Sequence, residues 1–117
     1  MNLWEGNRFK TEEELPSAGE YLGELCATIP HRSKGPKNVI FLFAFEHEGK
    51  QFKAGIEVET DFGSPSFREL LFALGHRCRP GAVIKTSELM GRCIHITIQH
   101  QHDERGFWFI GIRDYGA

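Results

Sequence analysis

The fold of this protein is decided by one stretch of its sequence, Val39-Ile40-Phe41-Leu42-Phe43-Ala44-Phe45. All seven residues are apolar, so the stretch has no polar face to turn to water. A strand with this pattern is buried on both sides, whereas a helix that crosses a membrane needs about 20 apolar residues. We therefore interpret residues 39–45 as the central strand of a sheet that is packed on both faces.

Strands with one buried face are predicted before and after this stretch. Between residues 20 and 30, small or apolar residues recur at every second position, which is the period of a strand. They are Tyr21, Gly23, Leu25, Ala27 and Ile29. After a turn at residues 48–50 the same period returns, at Phe52, Ala54, Ile56 and Val58. We expect a first strand that ends at Pro30 and a third strand that forms a hairpin with the central one.

One helix is predicted after the third strand. Its apolar positions follow the spacing i, i+3, i+4, i+7, which gives a single buried stripe. They are Phe67, Leu70, Leu71 and Leu74. Ser64 and Pro65 suit the start of a helix, Ser66 and Glu69 fit a capping box, and Gly75 suits the C-terminal end.

Two further strands complete the predicted elements. A single helical turn is expected at residues 86–90, followed by a strand in which Ile94, Ile96 and Ile98 alternate with polar residues. A turn at residues 103–106 then leads into a last strand over residues 107–113.

The order of these elements predicts the fold class. Three strands, one helix and two strands are the order of a mainly β protein with a five-stranded OB-fold (Greek-key) barrel, in which the one helix lies between strands 3 and 4. A ferredoxin-like sandwich needs a second, earlier helix, and residues 20–60 have no helical period. An SH3-like barrel does not need the long capped helix.

Composition is that of one globular domain. The chain has 117 residues, of which 40% are hydrophobic and 26% charged, values that argue against disorder and against two domains. We divide it into an N-terminal arm, residues 1–18, with Trp4 and Phe9 as anchors, and an OB-fold domain, residues 19–117. The first residues lack the pattern of a signal peptide, and no membrane partner is expected. Three cysteines (Cys26, Cys78 and Cys93) without paired spacing suggest reduced thiols and a cytoplasmic location.

The charge distribution leaves a nucleic-acid partner open. The net charge is −2, but residues 31–37 and 76–85 contain bases and no acids. Phosphate binding follows local potential rather than net charge. The charge balance therefore excludes neither an acidic nor a basic partner.

Four segments of the sequence resemble small bacteriophage and prophage OB-fold proteins. They are Leu15-Pro16-Ser17-Ala18-Gly19-Glu20-Tyr21, Ser33-Lys34-Gly35, Phe67-Arg68-Glu69-Leu70-Leu71-Phe72-Ala73-Leu74-Gly75 and Leu89-Met90-Gly91-Arg92. The resemblance extends over residues 15–115. Several proteins of that group bind single-stranded DNA or lie beside recombination functions. The resemblance therefore implies sequence-independent binding of single-stranded DNA in phage or mobile-element DNA replication or recombination, in the host cytoplasm.

The sequence also offers residues for such binding. Single strands bind to cations that contact phosphates and to rings that stack on bases. The predicted phosphate contacts are Arg32, Lys34, Lys37, Lys53 and Arg105, and the predicted stacking residues are Phe43 and Trp108. Because residues alternate on a strand, either Trp108 or Phe109 must face outward. RNA is the alternative polynucleotide, and a homo-oligomer is expected.

The orientation of the central strand stays open at this point. If Ile40, Leu42 and Ala44 face the core, then Phe41, Phe43 and Phe45 form an aromatic strip on the outside. That strip could bind bases, be covered by the chain itself, or serve as a subunit or partner interface. The last possibility is the alternative function, a non-catalytic protein-interaction OB module.

We expect no enzyme and no cofactor. The sequence has no Gly-x-Ser-x-Gly elbow, no phosphate-cradling glycine loop and no Cys–His pair with an orienting acid. Glu57, Glu59 and Asp61 could hold Mg²⁺ in a nuclease, but solvation of the third strand is the simpler interpretation. His95, His100, His102 and Cys93 lack the spacing of a structural zinc site, so no metal is predicted.

Overall fold

Five β-strands and one α-helix form the structure, a computed structural model that describes residues 8–30, 37–61, 63–76 and 84–117. The strands are β1 (Gly19–Pro30), β2 (Asn38–His47), β3 (Lys50–Glu59), β4 (Cys93–His102) and β5 (Trp108–Gly116). The helix α1 (Pro65–Ala73) lies between β3 and β4, and short 3-10 turns occupy Glu12–Glu14 and Thr86–Glu88.

The strands close into a barrel in the order β1-β2-β3-β5-β4. All neighbours are antiparallel except β3 and β5, which meet in parallel at a single pair, Gly55 and Gly111. A Cβ atom on Gly111 would lie 2.4 Å from the side-chain amide carbon of Gln101. Glycine at this position therefore leaves room for the Gln101 side chain. This topology, with one helix between the third and fourth strands, confirms the predicted OB-fold barrel.

Strand β2 directs its aromatic rings into the barrel. Phe41, Phe43 and Phe45 are 2%, 0% and 3% exposed and belong to the main core. Of the two orientations left open, the one with an outer aromatic strip is therefore wrong, and with it the predicted stacking role of Phe43. On the outer side, Ile40 and Leu42 are 2% and 5% exposed, which confirms that β2 is buried on both faces.

A β-bulge divides β1 into two segments of opposite parity. Tyr21, Gly23 and Leu25 face the interior as predicted, but the pairing with β2 shifts between Leu25 and Ala27. Ala27 then pairs with the outward Leu42. The prediction that the inner face continues through Ala27 and Ile29 is wrong, because the unpaired Cys26 reverses the alternation.

Helix α1 closes one end of the barrel. Its buried stripe, Phe67, Leu70, Leu71 and the following Leu74, joins the main core as the spacing predicts. Gly75 ends the helix with φ +79°, and the N–H of His76 donates to the carbonyl of Leu71. The capping box is not formed: the helix begins at Pro65, with Ser64 as the N-cap and no side-chain cap bond.

The N-terminal segment covers the other end of the barrel, where β5 begins. Phe9 exchanges two backbone hydrogen bonds with Trp108, each 2.8 Å long. Leu15 and Pro16 are buried, and the Tyr21 hydroxyl donates to the carbonyl of Ser17. Phe9 thus packs on the domain as expected of an anchor, whereas Trp4 lies outside the described residues.

The interior position of Phe43 predicts a loss of stability on truncation. Phe43→Ala should lower the free energy of unfolding by about 3–5 kcal/mol, because it leaves a cavity in a packed core. Phe72→Ala is the matched control, since Phe72 is 77% exposed and should cost about 0.5 kcal/mol or less. Urea denaturation followed by circular dichroism measures both. Equal, small losses would contradict the interior placement of Phe43.

Candidate nucleic-acid interface

The outer surface where β3 meets β5 brings together a cation and an aromatic ring. Lys53 and Phe109 each lie two residues before the Gly55–Gly111 pair, so their side chains project from the same outer face of two parallel strands. Lys53 is opposite the small Ala44 on β2, which leaves the surface beside it shallow. Phe109 is partly exposed and is not among the residues packed on the core.

Arg8 from the N-terminal segment lies over Phe109. Its guanidinium carbon is 4.4 Å from the centre of the ring, within the range of a cation–π contact. Its Nε atom is 3.3 Å from Oδ2 of Asp103, and the two side chains are only 25% and 23% exposed. Ring, guanidinium and carboxylate therefore form one stacked cluster at the edge of the barrel.

Asp103 shapes the β4–β5 loop, residues 103–107. Its Oδ1 atom accepts hydrogen bonds from the N–H groups of Arg105 at 3.0 Å and Phe107 at 2.9 Å. Its own N–H donates to the carbonyl of Phe107, and Gly106 supplies the positive φ of +87° that the turn requires. The loop is thus held by the same carboxylate that pairs with Arg8.

These contacts keep Asp103 ionised. The hydrogen bond from the Phe107 N–H is the main cause that lowers the pKa of Asp103, and the N–H of Arg105 and the charge of Arg8 act in the same direction. Partial desolvation opposes them without reversing the shift. Asp103 is therefore a fixed negative charge that offsets one of the cations around it.

The β4–β5 loop presents a cation and a second ring to solvent. Arg105 is exposed, Phe107 is 37% exposed, and both line a shallow pocket together with Arg8, Asp103 and Glu104. Near this loop, the outer surface thus combines three basic side chains (Arg8, Lys53 and Arg105) with the rings of Phe107 and Phe109.

At the opposite end of the β2–β3 face, the described side chains include three carboxylates. Glu57 and Glu59 point outward from β3, opposite Ile40 and Asn38. Lys37 is 3.7 Å from Asp61, measured from Nζ to Oδ2. The N–H of Gly63 is the main cause that lowers the pKa of Asp61, and Lys37 adds to it. A carboxylate therefore sits against the predicted phosphate contact at Lys37.

The predicted site residues are accordingly divided. Lys53 and Arg105 lie on the same side of the barrel, near the start of β5, whereas Lys37 is at the far end of β3. Trp108 packs against the core, with its ring 4.8 Å from that of His102, so Phe109 is the residue of this pair that faces outward. Arg32 and Lys34, with most of the basic loop, lie outside the described residues.

Sequence reasoning missed Arg8 and did not choose Phe109. Alternation on β5 named Trp108 and Phe109 as equivalent candidates, and only the pairing of Phe109 with the outward Gln101 separates them. Arg8 has no signal in the sequence, because it reaches the site by folding of the N-terminal segment onto β5. A count of charges in the neighbouring sequence cannot find such a residue.

The histidines are used in other ways. His95 lies 3.3 Å from a carboxylate oxygen of Glu20. The Nε2 atom of His100 carries a proton, because it is 2.7 Å from the carbonyl of Pro16, which can only accept. In the part of the chain that the structure describes, no group of three or more His, Cys, Asp or Glu side chains is arranged to hold a metal ion.

A groove on another side of the barrel runs between α1 and the end of β5. Its lining includes the exposed ring of Phe72 and the partly buried Tyr115, whose hydroxyl donates to the carbonyl of Ser66 at 3.3 Å. Burial is the main cause that raises the pKa of Tyr115, with Glu69 and Asp114 acting in the same direction. Arg68 and His76 also line this groove, so it presents basic as well as acidic side chains.

Comparison with models of known protein families and with curated protein sequences finds no match to this chain. Among the described residues, no helix has both the length and the apolar character needed to span a membrane. The two described cysteines, Cys26 and Cys93, are unpaired, and Cys78 lies outside the described residues.

The lowered pKa of Asp103 predicts a pH-dependent contribution to stability. A carboxylate whose pKa is lower when folded stabilises the protein above its unfolded-state pKa of about 4 and loses that effect as the pH falls through the folded-state value. Asp103→Asn keeps an oxygen acceptor but removes the charge. It should therefore be less stable than the wild type at pH 7 and equally stable at about pH 2, as measured by urea denaturation across this range.

Asp114→Asn is the control for this comparison, because Asp114 also accepts a backbone N–H, from Tyr115. It should change the stability at pH 7 by less than Asp103→Asn does. A difference between wild type and Asp103→Asn that is the same at both ends of the pH range would contradict the role of the Asp103 charge.

Proposed function

We propose that this protein binds single-stranded DNA without reading its sequence, along the outer surface formed by β3, β5 and the β4–β5 loop. The observation that carries the proposal is the outward ring of Phe109 with the basic side chains of Lys53 and Arg105 on the same side of the barrel. A ring beside several cations is the combination that a single strand requires, since bases stack on rings and phosphates contact cations.

The fold supports this location. OB-fold barrels bind oligonucleotides on the outer face of strands 2 and 3 and with the loops that flank it, including the loop between strands 4 and 5. Here the β4–β5 loop contributes Arg105 and Phe107, and β3 contributes Lys53. A strand of DNA that followed this edge would meet phosphate contacts at Lys53 and Arg105, with a base over Phe109.

The distribution of charge favours DNA binding near the start of β5, beside the β4–β5 loop, over binding at the other end of the face, near Lys37. Phosphates are repelled by Glu57 and Glu59, and Lys37 is already opposed by Asp61. Judged by the described residues alone, the end of the face beside the β4–β5 loop therefore attracts a polyanion more strongly than the end at Lys37. The basic segment at residues 31–37 was also predicted to contact phosphates, and of its cations Lys37 lies within the described residues.

Contacts of this type do not distinguish one base from another. Rings stack on the flat faces that every base has, and cations contact a backbone that every strand shares. A coating or protecting role in phage or mobile-element DNA replication or recombination follows from the resemblance to phage and prophage proteins. Comparison of oligo-dU with oligo-U, which share the same base, tests whether the 2′-hydroxyl affects binding.

The alternative, a protein-interaction module, has lost the surface on which it was based. Its interface was the aromatic strip of β2, and those three rings are inside the barrel. Light scattering distinguishes the two functions: association of the protein without any binding of oligo-dT at low salt would favour the interaction module over DNA binding.

Replacement of the outward ring tests the stacking role. Phe109→Leu keeps an apolar side chain but removes the flat face, so binding of labelled oligo-dT should weaken by about 1–3 kcal/mol, measured by fluorescence anisotropy. Phe72→Leu is the matched control on an exposed ring of α1 and should leave the affinity unchanged. If the two variants bind equally well, Phe109 does not stack on a base.

Neutralisation of the cations tests the phosphate contacts. For each lost phosphate contact, the slope of log affinity against log salt should become shallower by about 0.7, because one fewer counterion is released. We expect a change of this size for Lys53→Gln and for Arg105→Gln. The control Lys85→Gln, which removes the same charge before the turn at Thr86–Glu88, should leave the slope unchanged. Three identical slopes would contradict this assignment.

A further inference from the structure

The N-terminal segment crosses the proposed binding surface. We define residues 8–16 as the strap. It runs from Arg8, which lies on Phe109, through Phe9, which pairs with Trp108, to Pro16, which is bonded to His100 on β4. The strap therefore contacts both strands that border the β4–β5 loop.

The far end of the strap is firmly attached. Leu15 and Pro16 are buried, and His100 donates from Nε2 to the Pro16 carbonyl at 2.7 Å. The other ring nitrogen, Nδ1, lies 3.9 Å from a carboxylate oxygen of Glu12. These contacts hold residues 12–16 in place without any contribution from Arg8.

The near end is attached through the backbone pair of Phe9 with Trp108 and through the side chain of Arg8, whose contacts are those that DNA would need. The guanidinium lies over one face of the Phe109 ring, and its charge is opposed by Asp103 at 3.3 Å. A base that stacks on this face must remove the guanidinium from the ring. A phosphate that binds Arg8 must compete with a carboxylate that the β4–β5 loop holds in position.

Building on the proposed function, we propose that Arg8 is an internal competitor: in the free protein it occupies the stacking face of Phe109, and single-stranded DNA binds by displacing it. Cation–π contacts and base stacking have free energies of similar size, so the exchange is feasible. The buried end of the strap keeps the segment on the barrel while Arg8 moves. Arg8 thereby lowers the affinity for DNA although it is a cation.

The direction in which the DNA affinity of Arg8 variants changes distinguishes competition from a phosphate contact. Arg8→Gln removes the cation from Phe109 and should bind labelled oligo-dT about 3- to 10-fold more tightly than the wild type. Arg8→Lys keeps the charge but loses the planar group, so it should also bind more tightly than the wild type. If Arg8 instead contacts a phosphate, Arg8→Gln binds more weakly and Arg8→Lys is unchanged.

Lys10→Gln is the matched control, because it removes the same charge from an exposed side chain of the strap and keeps the Lys10 N–H that donates to Glu14. It should bind no more tightly than the wild type. Thermal unfolding of each variant, followed by circular dichroism, identifies any that has lost its fold, and Arg8→Lys then serves in place of Arg8→Gln.

The possible outcomes distinguish failure of the competition from failure of DNA binding itself. Tighter binding by the Arg8 variants and not by Lys10→Gln supports competition. If the wild type binds oligo-dT and the Arg8 variants bind it equally well or more weakly, the competition is overturned and the DNA-binding proposal stands. If the wild type and the Arg8 variants all fail to bind oligo-dT at low salt, both proposals are overturned together.

Discussion

The structure depends on the enclosure of β2, which is apolar on both of its faces. The three large rings of β2 fill the interior, while Ile40 and Leu42 are buried on the other side of the same strand. A flat sheet with this strand in its centre would need covering layers on both faces. In a small closed barrel the sheet curves onto itself, so one face of β2 is buried in the interior. Closure also removes the exposed edges that such a strand would otherwise present.

Local periodicity was sufficient to predict the elements and their order, because β1, β3 and β4 largely alternate between outward and inward residue types and a turn at residues 103–106 marks the start of β5. For β2 the orientation could not be predicted, since neither face carries a polar residue that marks the outside. The bulge at Cys26 could not be predicted either, because no particular residue type marks the position of a bulge in this strand. The helix starts where Ser64 and Pro65 predict, and the capping box does not form because Ser66 lies two residues after the N-cap position, inside the helix.

The binding surface was harder to predict than the fold, because it is assembled from segments that are far apart in the sequence. The basic segment at residues 31–37 attracted the prediction by its local density of charge, yet its described member, Lys37, is opposed by Asp61. Arg8 lies in a segment that is acidic overall, and only the pairing of Phe9 with Trp108 brings it to Phe109. The charge of a residue indicates a binding role only when the residues that surround it in the folded structure are known.

The bulge in β1 also constrains how the chain length can vary. Residues 19–24 pair with β4 and residues 24–30 with β2, so β1 is the strand through which the two sides of the barrel are joined. Deletion of Cys26 would leave Leu25 opposite Phe43 and Ala27 opposite Leu42, so the pairing would become regular and no residue would change face. Homologous chains that keep this barrel should therefore accept insertions and deletions in their connecting turns and loss of the bulged residue, whereas a one-residue deletion between Ala27 and Pro30 would turn the residues after it to the opposite face.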